Sequence, residues 1–136
     1  MIVVDTSVWI DFLNGRLQPH VQRLTEMLEV DTGIALTDVI LTEVLQGIRD
    51  DTHVRLVDEH LSAFDVLRLE SLDDFRRAAH LYRSARKHGF TIRRTIDCLI
   101  ASVCIREQVP IMHNDADFDR LAEHAELTIH RYCDGR

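Results

Sequence analysis

Apolar residues fall into two patterns along this chain: short continuous runs, and longer stripes at helical spacing. Met1 to Val4 reads as a short buried strand that ends at Asp5. Thr6 to Leu13 is predicted helical, with Asn14-Gly15 as its break. From Pro19 to Glu29, apolar residues recur at Val21, Leu24, Met27 and Leu28, a helical stripe. Ile34 to Leu36 is a second strand, and Asp38 is expected to cap a helix reaching about Ile48. Thr52 to Ser62 reads as helix and Phe64 to Leu69 as a third strand. Ser71 opens a long helix that Gly89 stops. Thr95 to Glu107 is the next helix. Val109 to Met112 is a fourth strand, placed near a sheet edge by Pro110. Phe118 to His124 and Leu127 to His130 complete the series as a short helix and a final strand. Strands alternating with longer helices imply βαβ units, hence an α/β domain with a short parallel sheet of about four to five strands flanked by helices. No repeat, linker or low-complexity segment divides residues 1–136, so a single domain is expected.

Composition narrows the classes. With 46% hydrophobic residues, the chain can bury a core without disulfides or structural metal. No apolar run approaches the ~20 residues of a membrane span, and Asp5 interrupts any signal-like start, so a cytoplasmic protein is expected. Three cysteines occur without a C-x-x-C pair. Cys98 and Cys104 read as small core residues and Cys133 as a free thiol. The net charge of −7 argues against a simple polyanion binder. It has two remedies: acids gathered around a divalent metal invert the local field, and basic residues are concentrated at Arg83, Arg86, Lys87, Arg93 and Arg94. That basic stretch also fits a solvated helix end. His20, His53, His60, His80 and His88 read as surface residues of helices.

The acids carry the chemistry. Ligands of open α/β sheets bind beyond the carboxyl ends of the strands, and Asp5 stands where the first strand ends. It also suits a helix N-cap. Glu43, at ~100° per residue on its helix, falls inside one edge of the apolar arc. The alternative is a boundary glutamate with its carboxylate in water. Asp97 is the strongest signal, because the run from Ile96 to Ile105 is apolar nearly all round. A lone carboxylate there must be paired, protonated or bound to metal, and pairing with Arg93 or Arg94 is the structural alternative. Asp115 and Asp117 follow the fourth strand, where both can turn inward; an Asx-turn with Asp117 as N-cap competes. Carboxylates crowded at one sheet edge repel one another, so a hard cation is expected, Mg²⁺ or Mn²⁺ by their oxygen-only donors.

Taken together, Val4-Asp5-Thr6-Ser7-Val8-Trp9, Glu43, Thr95-Ile96-Asp97-Cys98-Leu99-Ile100-Ala101 and His113-Asn114-Asp115-Ala116-Asp117-Phe118 resemble the acidic motifs of PIN-domain nucleases, and more narrowly those of VapC toxins from bacterial toxin–antitoxin pairs. The likeness runs over essentially the whole chain. It implies a PIN-like three-layer fold and Mg²⁺-dependent endoribonuclease activity that inhibits translation by cutting tRNA or other translation-related RNA. It further implies a homodimer, neutralisation by a VapB-type antitoxin, and a heterotetramer or larger assembly with it. By that likeness Asp5, Glu43, Asp97 and Asp115 are the core catalytic acids. Asp5, Asp97, Asp115 and the auxiliary Asp117 are the metal ligands, and Ser7 and Asn114 are polar supports.

Two other acid-centred families begin from an aspartate at a strand end, the haloacid-dehalogenase-like phosphatases and the phosphorylatable receiver domains. Both need a lysine near a later strand end, whereas the lone lysine, Lys87, ends a helix. The phosphatases also place a second aspartate two residues after the first, where this chain has Ser7. A PIN module that binds without cutting is a further alternative. Arg93 and Arg94 precede the Asp97 helix and are expected to flank an RNA phosphate. An antitoxin arginine among the carboxylates is expected to displace the metal. The Val21, Leu24, Met27, Leu28 stripe is a candidate wall for the antitoxin's apolar segment, with plain core packing as the alternative.

Overall fold

A computed structural model describes residues 1–30 and 33–132. Its elements are β1 (Ile2–Val4), α1 (Thr6–Leu13), α2 (Pro19–Glu29), β2 (Ile34–Thr37), α3 (Asp38–Gln46), α4 (Asp51–Leu61), β3 (Asp65–Leu67), α5 (Leu72–Lys87), α6 (Thr95–Glu107), β4 (Ile111–Met112) and α7 (Ala116–Glu123). The fold is α/β, as expected. Among the described residues the four strands are all parallel, in the order β3-β2-β1-β4. Parallel neighbours need crossover connections, and the helices supply them while covering the apolar strands. Val3, Val4, Ala35, Leu36, Ile111 and Met112 are completely buried. The helices form two groups, α1 to α4 and α5 to α7, which meet where α3 packs on α6.

Strand order decides where a site can form. From β1 the chain adds β2 and then β3 on one side, then returns to lay β4 on the other side of β1. The crevice beyond the ends of β1 and β4 is therefore a topological switch point, where α/β sheets bind ligands. Asp5 N–H donates to Met112 O at 2.9 Å, which locks the two strand ends together.

Several boundaries differ from expectation. The final strand shrinks to one parallel bridge between Ile111 and Ile129, flanked by bonds from Ile111 N to Thr128 O and from His130 N to Ile111 O. β4 is the edge strand of the four-stranded sheet, as expected, and that bridge lies on its outer side. Pro110 lies just before β4 and lends its carbonyl to Val3 N at 2.9 Å. Thr37, not Asp38, caps α3, its hydroxyl accepting from Ile40 N. Asp38 is the first helical residue, and its Oδ2 accepts from Leu69 N, tying α3 to the chain after β3. Ser71 caps α5 as expected, and Gly89 follows it at φ +92, a conformation open to glycine but strained for other residues.

His20 is buried rather than a surface residue, because its Nε2 lies 2.7 Å from Asp11 Oδ2. His53, His60, His80 and His88 are exposed. Cys98 and Cys104 are buried, and burial pushes their thiols up to about 11 and about 12. Unreactive core packing is the reading those values support. Cys133 lies outside the described residues.

Candidate active site

The expected acids reach the switch point from four places: the end of β1, α3, α6 and the start of α7. Asp5 is completely buried at the N-cap of α1. Its Oδ2 accepts from Ser7 N at 3.0 Å and from Ser7 Oγ at 2.6 Å. Its Oδ1 is buried and has no hydrogen-bond partner among the described residues. The cap and the site are thus the same carboxylate, with one oxygen given to each. Ser7 Oγ also accepts from Asn114 N at 2.9 Å, which carries the loop after β4 onto α1. The side chain of Asn114 points to Asp11, its Nδ2 lying 3.4 Å from Oδ2. Of the two residues expected as polar supports, Ser7 thus bonds Asp5 directly, whereas Asn114 reaches Ser7 through its backbone and Asp11 through its side chain.

Glu43 stands on α3 with 8% of its surface exposed, so its carboxylate is not in bulk water. Oε1 accepts from Thr6 Oγ1 at 2.8 Å and Oε2 from Arg94 Nη1 at 3.2 Å. Asp97 is completely buried in the first turn of α6. Its Oδ1 accepts from Arg94 Nη2 at 3.0 Å, while Oδ2 is a second buried oxygen with no partner among the described residues. Asp115, not Asp117, caps α7 by accepting from Asp117 N, and it also accepts from Arg93 Nη2 at 2.7 Å. Asp117 is buried in the first turn, where its Oδ2 accepts from Arg93 N and Nε. Arg120 Nη1 lies 3.4 Å from its Oδ1.

The electrostatics follow from burial. Asp97 is raised to about 7, chiefly because burial penalises its charge. Arg94 pulls the other way, and the charges of Asp5 and Asp115 add to the rise. Asp5 is also raised, by burial first and by Glu43, against the lowering effect of its Ser7 bonds. These influences bring Asp5, Glu43, Asp97 and Asp115 within electrostatic reach in one crevice. Such crowding is what a hard cation relieves. The donor set is all oxygen, and two of its buried oxygens are left over, one on Asp5 and one on Asp97; those residues fit Mg²⁺ or Mn²⁺. Among the described residues, however, no group of three or more potential ligands is ready-made around one metal position. The guanidinium groups of Arg93 and Arg94 stand among the carboxylates.

Arg93 and Arg94 both reach the acid centre: Arg94 makes the pairing with Asp97 that was the structural alternative for that acid, and Arg93 pairs with Asp115 and Asp117. The other basic residues of that stretch, Arg83, Arg86 and Lys87, lie exposed on the last turns of α5, where the helix dipole favours positive charge. That part of the stretch is a solvated helix end. Sequence reasoning also missed Thr6, His113 and Asp11. Thr6 lies inside the Asp5 motif, but its partner Glu43 is 37 positions away. His113 Nδ1 accepts from Asp115 N at 3.0 Å and fixes the turn after β4.

A family model for the PIN domain matches residues 2–124. The chain belongs to the PIN-domain family. Ribonuclease VapC11 of Mycobacterium tuberculosis is 34% identical over 128 residues, which cover 93% of this chain and 96% of that protein. Ribonuclease VapC51 of the same organism is 30% identical over 120 residues, covering 88% and 84%. These relatives place this PIN domain among the VapC ribonucleases. The solved structure of VapBC2 from Rickettsia felis bound to a promoter DNA fragment aligns with a TM-score of 0.75 at 20% identity, over 98% of this chain and 100% of that one. VapBC-5 from Mycobacterium tuberculosis aligns at 0.66 and 24% identity, over 95% and 96%. At those identities the structures speak to the fold, and they share the PIN-like α/β arrangement. The four acidic motifs of this PIN domain all end in the crevice between β1 and β4.

The apolar stripe on α2 follows its alternative reading, core packing. Leu24 and Met27 are completely buried and Val21 nearly so, which makes the stripe mainly core. Leu28 alone of the four lines a separate apolar groove of about 410 Å³, with Trp9, Phe12, Leu13, Val57 and Phe64 among its walls. Trp9 Nε1 is buried without a hydrogen-bond partner among the described residues. No helix among the described residues is long and apolar enough to cross a membrane.

Proposed function

We propose that this PIN domain is a Mg²⁺-dependent endoribonuclease, with Mn²⁺ as a substitute, that acts as the toxin of a type II toxin–antitoxin pair. The observation that carries the reading is the pair of buried carboxylates, Asp5 and Asp97, each with one oxygen held by the protein and one left over at the switch point. A buried acceptor left unpaired costs about 1–3 kcal/mol, and a cation shared by several carboxylates offsets that cost. Asp5, Asp97 and Asp115 would hold the metal, with Asp117 as auxiliary ligand. Bound there, the metal supplies Lewis-acid stabilisation of the phosphate and a more acidic water.

The chain's own groups do the rest. Ser7 orients Asp5 and joins it to the β4 loop through Asn114. Thr6 holds Glu43, whose carboxylate would accept a proton from the attacking water. The closed strand ends keep the carboxylates fixed, so little reorganisation is needed when charge builds on the phosphate. The substrate is RNA, with tRNA and other translation-related RNA as the leading class. A VapB-type antitoxin is the partner, in a heterotetramer or larger assembly built on a toxin homodimer. Its apolar segment fits the groove of Trp9, Phe12, Leu28 and Phe64 better than the buried α2 stripe, and a carbonyl from it would satisfy Trp9 Nε1.

The test is cleavage of a defined tRNA, read at its new 5′ ends, by the purified chain in Mg²⁺ against an EDTA control. Asp5→Asn and Asp97→Asn should each reduce cleavage by at least about 10²-fold, the loss typical of a group that stabilises a transition state electrostatically, while circular dichroism shows a retained fold. Cleavage that persists in EDTA would sink the metal assignment. Tight RNA binding without any cleavage would favour a silent module.

A further inference from the structure

The acid centre contains a cation already. Arg94 Nη1 lies 3.2 Å from Glu43 Oε2, and Nη2 lies 3.0 Å from Asp97 Oδ1 and 3.9 Å from Asp115 Oδ2. One guanidinium thus spans three of the four core acids, from α3, α6 and the β4 loop. We propose that Arg94 is an internal counter-cation held on Asp97 and Asp115, two of the carboxylates that would hold the metal, so that guanidinium and divalent metal compete for them. The proposal rests on the metal-dependent reading above and adds a competitor built into the same chain.

Three observations support a side chain that leaves rather than a permanent bridge. Arg94 is the N-cap residue of α6 yet makes no side-chain cap bond, and its side chain meets the helix through the ion pair with Asp97. Its side chain is 49% exposed, so rotation about the stem carries the guanidinium into water without moving the backbone. Third, the pairing leaves Asp97 Oδ2 and Asp5 Oδ1 unsatisfied, so Arg94 neutralises the centre only in part. Arg93 differs, because its backbone N–H also binds Asp117 Oδ2 at 3.0 Å and anchors the loop whatever the side chain does. The neighbouring Ile92 is 2% exposed and pins the same loop in the core. The anchor and the movable charge therefore sit at adjacent positions. Once displaced, the Arg94 guanidinium stands at the rim of the crevice, where a polyanion arrives.

The experiment is Mn²⁺ binding by the metal-free full chain, measured by calorimetry at fixed pH and ionic strength without RNA. Arg94→Ala should bind Mn²⁺ about tenfold more tightly than wild type, a coupling of ordinary size for competing ligands. Arg94→Gln, which keeps the stem and amide donors if the alanine variant folds poorly, should fall in the same direction. Arg83→Ala removes the same charge from the exposed end of α5 and should bind as wild type does. In the wild-type chain, Mg²⁺ should also broaden the Arg94 side-chain Nε–Hε resonance, as release to solvent speeds exchange of that proton with water. Equal affinity in wild type and both Arg94 variants, or weaker binding in the variants, overturns the competition and leaves the metal reading standing. No Mn²⁺ binding by any of the chains overturns both.

Discussion

Two aspartates, Asp74 on α5 and Asp97 on α6, are buried almost equally, at 1% and 0% exposure, yet their environments are opposite. Asp74 is fully furnished with donors. Its Oδ1 accepts from Arg77 Nη1 at 2.9 Å, and its Oδ2 accepts from Glu70 N at 2.8 Å and from Arg106 Nη1. Ser102 Oγ donates to its carbonyl, and Arg77 in turn reaches Ser102, so the cluster staples α5 to α6. Burial raises its pKa, but these donors outweigh that effect and hold it below the usual carboxylate range. Asp97 has one arginine, half in water, and one bare oxygen, and its pKa is raised to about 7. A structural carboxylate is one whose lone pairs the fold has satisfied; a functional one keeps capacity in reserve.

Substitution should separate the two most widely. Asp74→Asn leaves Arg77 and Arg106 without their common partner. It should cost about 2–4 kcal/mol in denaturant unfolding, a little under the ~3–5 kcal/mol of a fully buried pair because both arginines touch water. Asp97→Asn should leave the metal-free protein as stable as wild type or more so, since it relieves repulsion from Asp5 and Asp115. If Asp97→Asn proves the more destabilising of the two, the contrast is reversed and Asp97 is primarily a structural partner of Arg94.

A smaller effect is expected with pH, in the metal-free protein. Between 3.8 and about 7 the folded state keeps a proton on Asp97 that the unfolded chain has released. Stability therefore falls as pH rises through that window, and Asp5, also raised, adds to the same slope. Asp97→Asn should flatten it. Asp74 has the opposite sign, because its stabilisation is present above the unfolded value of 3.8 and is lost only as pH falls through its lowered pKa. Asp74→Asn should consequently leave the slope above pH 4 unchanged. Thermal melts from pH 4 to 8 in EDTA would check both, and a wild-type curve that climbs steadily from pH 4 to 7 would contradict the assignment.

The smallest effect is expected at Arg93 and is read on RNA affinity. With Mg²⁺ present and the site loaded, Arg93→Ala should lower RNA affinity across sequences and reduce the salt slope by roughly one unit per lost phosphate contact. Arg77→Ala, a change in the structural cluster, should not alter the slope. If Arg93→Ala keeps the wild-type slope, the Arg93 guanidinium stays on Asp115 and Asp117 even when RNA binds.

Much of this molecule could be read directly from local pattern. The order and type of the elements follow from periodicity, and α6 spans Thr95–Glu107 as expected because its run is apolar on nearly every side. The acids also announced themselves: Asp97 by interrupting that run, and Glu43 by intruding on an apolar arc. What local pattern could not reveal is where each oxygen finds a donor. Thr6 meets Glu43 across 37 positions and Arg94 meets Glu43 across 51, contacts made only when the β3-β2-β1-β4 order brings distant strand ends together. The same applies to His20, whose burial depends on Asp11 from the preceding helix, and to the α2 stripe, where packing buried Leu24 and Met27 and left Leu28 on a groove. Residue types and spacings set the helices, strands and charges of this chain. The tertiary structure alone decided which buried carboxylate oxygens remained unpaired, because that depends on long-range geometry and not on any interval along the sequence.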